Sequence, residues 1–76
     1  MIKVTLLLED YLKHKYSSGP IELHYLKPVT TRQVLKDAKI SPADVFFIKT
    51  GDKIVREDYL LTESAEIKLF PIIGGG

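Results

Sequence analysis

Hydrophobic and polar positions alternate along three stretches of this chain. Residues 2–9, 21–26 and 66–73 each place apolar side chains at every second position. In the first stretch these positions are Ile2, Val4, Leu6 and Leu8. A period of two is typical of a strand with one buried face. The pattern therefore predicts three strands, and the first and last, which are the most apolar, are expected in the centre of a sheet.

A helical pattern follows the second of these stretches. Thr30 precedes Gln33 by three residues, which is the spacing of a capping box. In that motif a hydroxyl accepts from one free backbone N–H group, and the amide reaches back to another. Apolar residues then recur at helical spacing, at Val34, Leu35 and Ala38. We therefore predict one short helix that ends before Pro42, because proline disfavours a helical residue before it.

Shorter elements fill the rest of the chain. Residues 45–48 and 54–55 predict two more strands, joined by a turn at residues 50–52, and the pattern leaves open which side of residues 45–48 faces inward. Residues 10–18 predict a loop with a helical turn, and residues 56–64 predict an irregular connection. The order β–β–α–β–β–β indicates an α+β domain of the β-grasp type. One short helix would pack on one face of a mixed sheet of four to five strands.

Length and composition narrow the possible functions. The chain has 76 residues, 11 Lys and Arg against 10 Asp and Glu, and no Cys. A domain this small has little room for an enclosed active site, so we expect that it is not an enzyme and acts through a partner. The lack of cysteine excludes disulfides and favours a reducing compartment, so we expect a cytoplasmic location.

Charge and hydropathy exclude further classes of partner. The formal net charge is +1, which argues against direct binding of nucleic acid. No apolar run approaches the roughly 20 residues of a membrane span, so no membrane association is expected. The two histidines, His14 and His24, have no third ligand nearby in the sequence. We therefore predict no metal site, since zinc sites need three or four ligands.

The last three residues, Gly74, Gly75 and Gly76, are the most unusual feature of the sequence. One interpretation is a flexible chain end or a cloning remnant. The other is chemical, because residues without a Cβ pass through a channel too narrow for other side chains. Such a tail would carry the C-terminal carboxylate, ionised at neutral pH, to a reagent inside a partner enzyme. Residues 1–73 would then form the domain and residues 74–76 the tail.

Three segments of the chain carry motifs. Residues 70–76 are Phe-Pro-Ile-Ile-Gly-Gly-Gly, residues 30–35 are Thr-Thr-Arg-Gln-Val-Leu, and residues 50–56 are Thr-Gly-Asp-Lys-Ile-Val-Arg. They resemble the tail, the Thr-Val-Arg-x-Leu-Leu helix start and the Asn-Gly-x-x-Val-x-Arg hairpin of the ThiS/MoaD sulfur carriers, a ubiquitin-like β-grasp family. The Phe-Pro pair and the long connection at residues 10–19 are more similar to the small subunit of molybdopterin synthase than to the thiamine carrier.

The resemblance implies a mechanism. An adenylating enzyme of the ubiquitin-activating type would use ATP to convert the Gly76 carboxylate into an acyl-adenylate, and a sulfur donor would displace AMP to leave a thiocarboxylate. Gly76 would be the reacting residue, and Gly74 and Gly75 would thread the partner's channel, which keeps water from the adenylate. The chain itself would bind no cofactor. A second partner, a synthase or thiolase, would accept the sulfur for molybdopterin, thiamine or tRNA thiolation.

Four apolar positions are expected at the partner interface. Phe70 is expected to point away from the helix-covered face, and in the family an aromatic residue at this place inserts into a partner's pocket. Leu7 and one of Phe46 or Phe47, with Phe47 preferred, would widen the same apolar patch. Ile72 leads into the tail. The alternative for Phe70 is that it covers the sheet edge or packs against Leu7.

Arg56 is a charged candidate for the same interface. Its guanidinium would pair with a carboxylate of the activating enzyme, and the alternative is a solvated loop charge. Two other functions also stay open at this point. A ubiquitin-like protein modifier would use the same activation step, with a lysine amine attacking the adenylate. A passive ubiquitin-like interaction module would need no free tail.

Overall fold

The computed structural model describes residues 1–72 of the chain. Within that range it has seven strands: β1 (Ile2–Leu8), β2 (Ile21–Tyr25), β3 (Val29–Thr30), β4 (Val45–Thr50), β5 (Lys53–Val55), β6 (Leu60–Leu61) and β7 (Ala65–Pro71). Two short helices, α1 (Tyr11–Lys15) and α2 (Thr31–Asp37), and a turn of 3-10 helix (Pro42–Asp44) complete the elements. The predicted boundary at residue 73 and the glycine tail lie outside the described residues.

Five of the strands form one mixed sheet in the order β2-β1-β7-β4-β5. β1 and β7 are parallel neighbours, whereas the other three pairings are antiparallel. The first and last strands therefore lie side by side, and β7 is the middle strand, as their apolar character predicts. β2 pairs with β1 despite the long connection between them, with Ile2 opposite Tyr25. The prediction of a mixed sheet of four to five strands with the first and last strands at its centre is confirmed.

One face of this sheet is covered by α2 and forms the core. Alternate residues of β1 and β7 point into it, and Val4, Leu6 and Leu69 are fully buried. Val34 and Leu35 of α2 belong to the same hydrophobic cluster. Burial of each such side chain stabilises the fold by about 1.5–3 kcal/mol. The other side chains of the strands lie on the opposite side of the sheet, which we name the open face.

The predicted capping box forms in part. The Thr30 hydroxyl oxygen accepts a hydrogen bond from the Gln33 backbone N–H at 3.2 Å, so this half of the motif is confirmed. The other half is wrong, because the Gln33 side-chain amide donates to Asp37 Oδ1 at 2.8 Å. Asp37 lies one turn further along the same helix face, where it is a closer partner for the amide than the helix start.

A second, two-stranded sheet corrects another expectation. Residues 56–64 are not irregular throughout, because β6 pairs with β3 and places Leu61 opposite Val29. Both side chains are buried in the core. A strand of two residues is too short to show an alternating pattern, so this pairing depends on a tertiary contact that the local sequence does not reveal.

α1 and the residues after it are anchored by apolar and polar contacts. Leu12 is fully buried in the core. The Tyr16 hydroxyl donates to Asp44 Oδ2 and accepts from the Ser41 N–H at 3.1 Å. Lys15 Nζ lies 2.9 Å from the same carboxylate oxygen. The first connection is thereby joined to the 3-10 helix 28 residues further along the chain.

This network shifts the pKa of the Asp44 carboxyl and the pKa of the Lys15 amine from their ordinary values. The hydrogen bond from Tyr16, followed by the contact with Lys15, lowers the pKa of the Asp44 carboxyl below its ordinary value. The hydrogen bond with Asp44 in turn raises the pKa of Lys15. A carboxyl with a lowered folded-state pKa stabilises the fold fully above its unfolded-state pKa of about 3.9. This stabilisation is lost as the pH falls through the folded-state pKa.

We predict that Asp44→Asn lowers the free energy of unfolding at pH 7 and makes stability fall less steeply below about pH 4. The amide keeps the size of the side chain and removes the group that titrates. Thermal unfolding at a series of pH values measures both effects. Asp58→Asn, which removes an exposed carboxylate outside the network, is the matched control and should keep the wild-type slope. If the stability of wild type and of Asp44→Asn fell with the same slope below about pH 4, the proposed contribution of Asp44 would be contradicted.

Candidate functional site

The candidate site lies at the C-terminal end of the middle strand. Ile67 and Leu69 of β7 point into the core, so Lys68 and Phe70 lie on the open face. Phe70 therefore points away from the side covered by the helix, which is where alternation along the strand predicts it. Beyond it, the chain continues through a buried proline to Ile72, which is 57% exposed.

Phe70 belongs to a cluster of aromatic residues shared with β4. Its ring stacks on Phe47, with the two ring centroids 4.4 Å apart and 15° between the ring planes. Phe46 meets Phe47 edge-on at 5.6 Å and is 69% exposed. Together with Pro71 and Ile72 these rings line a notch of about 290 Å³, and we name the five residues the aromatic patch. Exposed apolar clusters of this kind are typical of partner-binding surfaces.

A β-bulge explains why two successive phenylalanines take part in the patch. The register of β4 against β7 shifts between Val45 and Phe47, so that Phe46 is an extra residue in the strand. Ile48 then returns to the core, where it is buried. Residues 45–48 thus face inward at Ile48 and outward at Phe46. Phe46 is the most exposed aromatic residue of the patch. The sequence indicates Phe46 only through its place beside Phe47, and Phe47 is the preferred candidate of that pair.

Leu7 shares the open face but lies outside the notch. Its register partner on β7 is Lys68, whereas Phe70 is paired with Phe47 on the other side of β7. Phe70 thus stacks on Phe47 and is not directly opposite Leu7 in the register. Leu7 lies in the neighbouring row of side chains, diagonally across from Phe70.

Arg56 lines a second groove beside the patch. This groove has a volume of about 490 Å³ and shares Phe46 and Phe47 with the aromatic patch. The buried Thr31 side chain holds the backbone at this place, because its hydroxyl lies 2.7 Å from the carbonyl oxygens of both Arg56 and Glu57. Thr31 therefore positions the backbone at Arg56 and Glu57, and no sequence motif predicts this role. Arg56 thus lies next to the patch at the rim of an adjoining groove.

The patch offers apolar contact and no reactive group, since none of its five side chains is ionisable. Within residues 1–72, no three His, Asp or Glu side chains lie close enough together to hold a metal ion. No helix in this range is long and apolar enough to cross a bilayer. The predicted reacting and threading residues, Gly74, Gly75 and Gly76, lie outside the described residues. What the patch can do chemically is bind and orient a partner.

Comparison with known proteins identifies relatives in structure only. No protein-family model matches the sequence, and no curated protein matches it. A protein assigned as molybdopterin converting factor, subunit 1, from Pyrococcus furiosus superposes with a TM-score of 0.75 at 13% identity, over 96% of this chain and 100% of that one. SAMP1 from Haloferax volcanii superposes with a TM-score of 0.72 at 13% identity, over 97% of this chain and 99% of that one.

These likenesses concern the fold. Both neighbours are covered almost completely, so the described residues of this chain have the β-grasp architecture that the element order predicts. Sequence identity of 13% carries no functional residue from one chain to the other. Because one fold serves many functions, the site of this chain, and not its fold, bears on its function.

We predict that Phe47 and Phe70 stabilise the sheet as a pair. In a double-mutant cycle of Phe47→Ala and Phe70→Ala, the coupling free energy should be about 0.5–1.5 kcal/mol, as is usual for aromatic pairs. Urea unfolding of the wild type, the two single variants and the double variant measures it. The control cycle combines Phe46→Ala with Phe70→Ala and should give a smaller coupling, because Phe46 stacks on neither ring face of Phe70. Equal coupling in both cycles would count against the stacking.

Proposed function

We propose that this chain is a sulfur carrier whose C-terminal carboxylate is adenylated and then converted to a thiocarboxylate. The observation that supports this most directly is the exposed aromatic patch at the end of the middle strand. In the sequence a single residue separates this patch from three terminal glycines. A docking surface directly ahead of a chain end without side chains suits a protein that presents its terminus to a partner enzyme.

The proposed chemistry takes place at Gly76. An oxygen of its carboxylate attacks the α-phosphorus of ATP, pyrophosphate leaves, and an acyl-adenylate forms. Hydrosulfide then attacks the acyl carbon, and AMP leaves with the bonding electron pair and the oxygen that joined it to the carbon. The product is a thiocarboxylate. The step needs no side chain of the carrier, because adenylation by itself turns a poor electrophile into an acyl group with a good leaving group.

The folded domain contributes binding and orientation. The aromatic patch supplies apolar anchors, which are the usual centres of binding energy in an interface. Phe46 and Ile72 are the members of the patch that project furthest into solvent, so we assign them the first contact with the partner. Arg56, which lines the adjoining groove, would meet a carboxylate of the partner beside that contact. Gly74 and Gly75 then pass through a channel that a side chain would block.

Two partners follow from this mechanism. The first is an adenylating enzyme of the ubiquitin-activating type, which binds the ATP, and the second is the synthase or thiolase that takes the sulfur. The name of the Pyrococcus furiosus neighbour favours a molybdopterin precursor as the final acceptor, although transfer to thiamine or to tRNA would use the same thiocarboxylate. A cytoplasmic location fits a cysteine-free chain whose activation consumes ATP.

We predict that the chain gains the mass difference between sulfur and oxygen when it is incubated with ATP, sulfide and the adenylating enzyme of the same organism. Intact-mass spectrometry measures the change. A variant lacking Gly75 and Gly76 and a variant with alanine appended after Gly76 are the controls, and both should keep their original mass. An unchanged mass of the wild-type chain under these conditions would contradict the proposal.

The same experiment separates the alternatives. A ubiquitin-like protein modifier would produce a ladder of conjugates in a cell extract, and this ladder would disappear in the variant lacking Gly75 and Gly76. A passive interaction module would keep its function with alanine appended after Gly76, because it needs no free carboxylate.

A further inference from the structure

Two lysines face one another on the open face of the sheet. Lys49 of β4 is directly opposite Lys68 of β7 in the antiparallel register. Like charges at directly opposed positions destabilise a sheet. The ion pairs found within residues 1–72 are Lys15–Asp44 and Arg32–Glu57, and neither includes these lysines. The described part of the fold therefore pairs two positive charges without a carboxylate between them.

The carboxylate on the same face of β7 does not resolve this repulsion. Glu66 lies two residues before Lys68, and its register partner on β1 is Thr5. It forms no ion pair with Lys49 or Lys68 in the described residues. Within the described residues the lysine pair thus has no ion-pair partner on the open face.

Apolar side chains border the lysine pair on both sides of its row. Leu7 of β1 adjoins Lys68, and Ile54 of β5 adjoins Lys49. Ile54 is 68% exposed. Neighbouring strands are about 4.8 Å apart, so this row of four side chains is about 14 Å wide. Charge in the middle and apolar groups at both ends give the row a defined chemical pattern.

The row lies next to the aromatic patch. Phe70 follows Lys68 by two residues on β7. Phe47 precedes Lys49 by two residues on β4. Two residues of a strand span about 6.8 Å. A group bound to the lysines would therefore be about 7 Å from a group bound to the stacked rings, which is close enough for one partner surface to use both.

We propose that the open face binds an acidic apolar surface of the adenylating enzyme. Asp or Glu side chains of that enzyme would lie over Lys49 and Lys68, about 7 Å from the apolar group that contacts the aromatic patch. The inference rests on the proposed function, because it states the chemistry of the surface that docks the carrier. Binding would relieve the lysine repulsion that the free chain retains, and the positive charge would steer the encounter.

The test measures ATP–pyrophosphate exchange by the adenylating enzyme of the same organism at varied concentrations of the chain. Lys49→Glu and Lys68→Glu should each raise the KM for the chain by at least about tenfold and leave kcat within about twofold, because juxtaposed like charges weaken association. Lys27→Glu makes the same charge change in an exposed loop beyond β2, the opposite edge strand, and should leave the KM near the wild-type value.

A second measurement separates weaker docking from weaker folding. Either lysine substitution replaces repulsion across the strands with attraction, so the melting temperature of the free chain should rise by about 2–5 °C. A variant that is more stable and yet poorly bound is the combined result that the inference requires. Higher salt should also raise the KM of the wild type.

The outcomes distinguish this inference from the proposed function. Activation of the wild type with an unchanged KM for both lysine variants would overturn the acidic docking surface and leave the sulfur-carrier proposal intact. A fall in melting temperature for both variants would overturn the claim that the lysines repel one another. Failure of the wild type to support any exchange would overturn the proposed function and, with it, the partner named here.

Discussion

The parallel pairing of β1 with β7 is the interaction on which the rest of the structure depends. It aligns Val4 with Ala65 and Leu8 with Leu69, so two segments about 60 residues apart in the chain form the centre of the sheet. The other strands of the main sheet extend from this pair, since β2 adds to β1, β4 adds to β7 and β5 adds to β4. Because β7 is the middle strand, it is paired on both sides as far as Leu69, and Phe70 and Pro71 continue the pairing with β4.

The same pairing divides the side chains between two faces with different tasks. Ile67 and Leu69 are buried in the core. Lys68 and Phe70, which alternate with them along β7, lie on the open face. The buried residues stabilise the fold, and the exposed ones are available to a partner. The aromatic patch shows both tasks in one cluster, because the stack of Phe47 on Phe70 supports the sheet while Phe46 projects into solvent.

Much of this fold could be predicted from local sequence, because long alternating strands encode their buried face. Residues 2–9 and 66–73 show a clear period of two, and Thr30 marks the start of α2. The remaining features depend on tertiary register. The β3–β6 pair is too short to show a period, and the bulge that exposes Phe46 exists only relative to β7. The position of Lys49 opposite Lys68 likewise follows from register. The glycine tail, by contrast, is a candidate functional segment on the sequence alone.

In the proposed function, the end of β7 and the aromatic patch dock the chain on its activating enzyme. Nuclear magnetic resonance of the ¹⁵N-labelled chain, titrated with that enzyme and ATP, tests it most directly. We expect the amide signals of Phe46, Phe47, Phe70 and Ile72 to shift or broaden, while those of α1 and β2 stay unchanged. Changes confined to α1 and β2, with the patch signals unaffected, would contradict it.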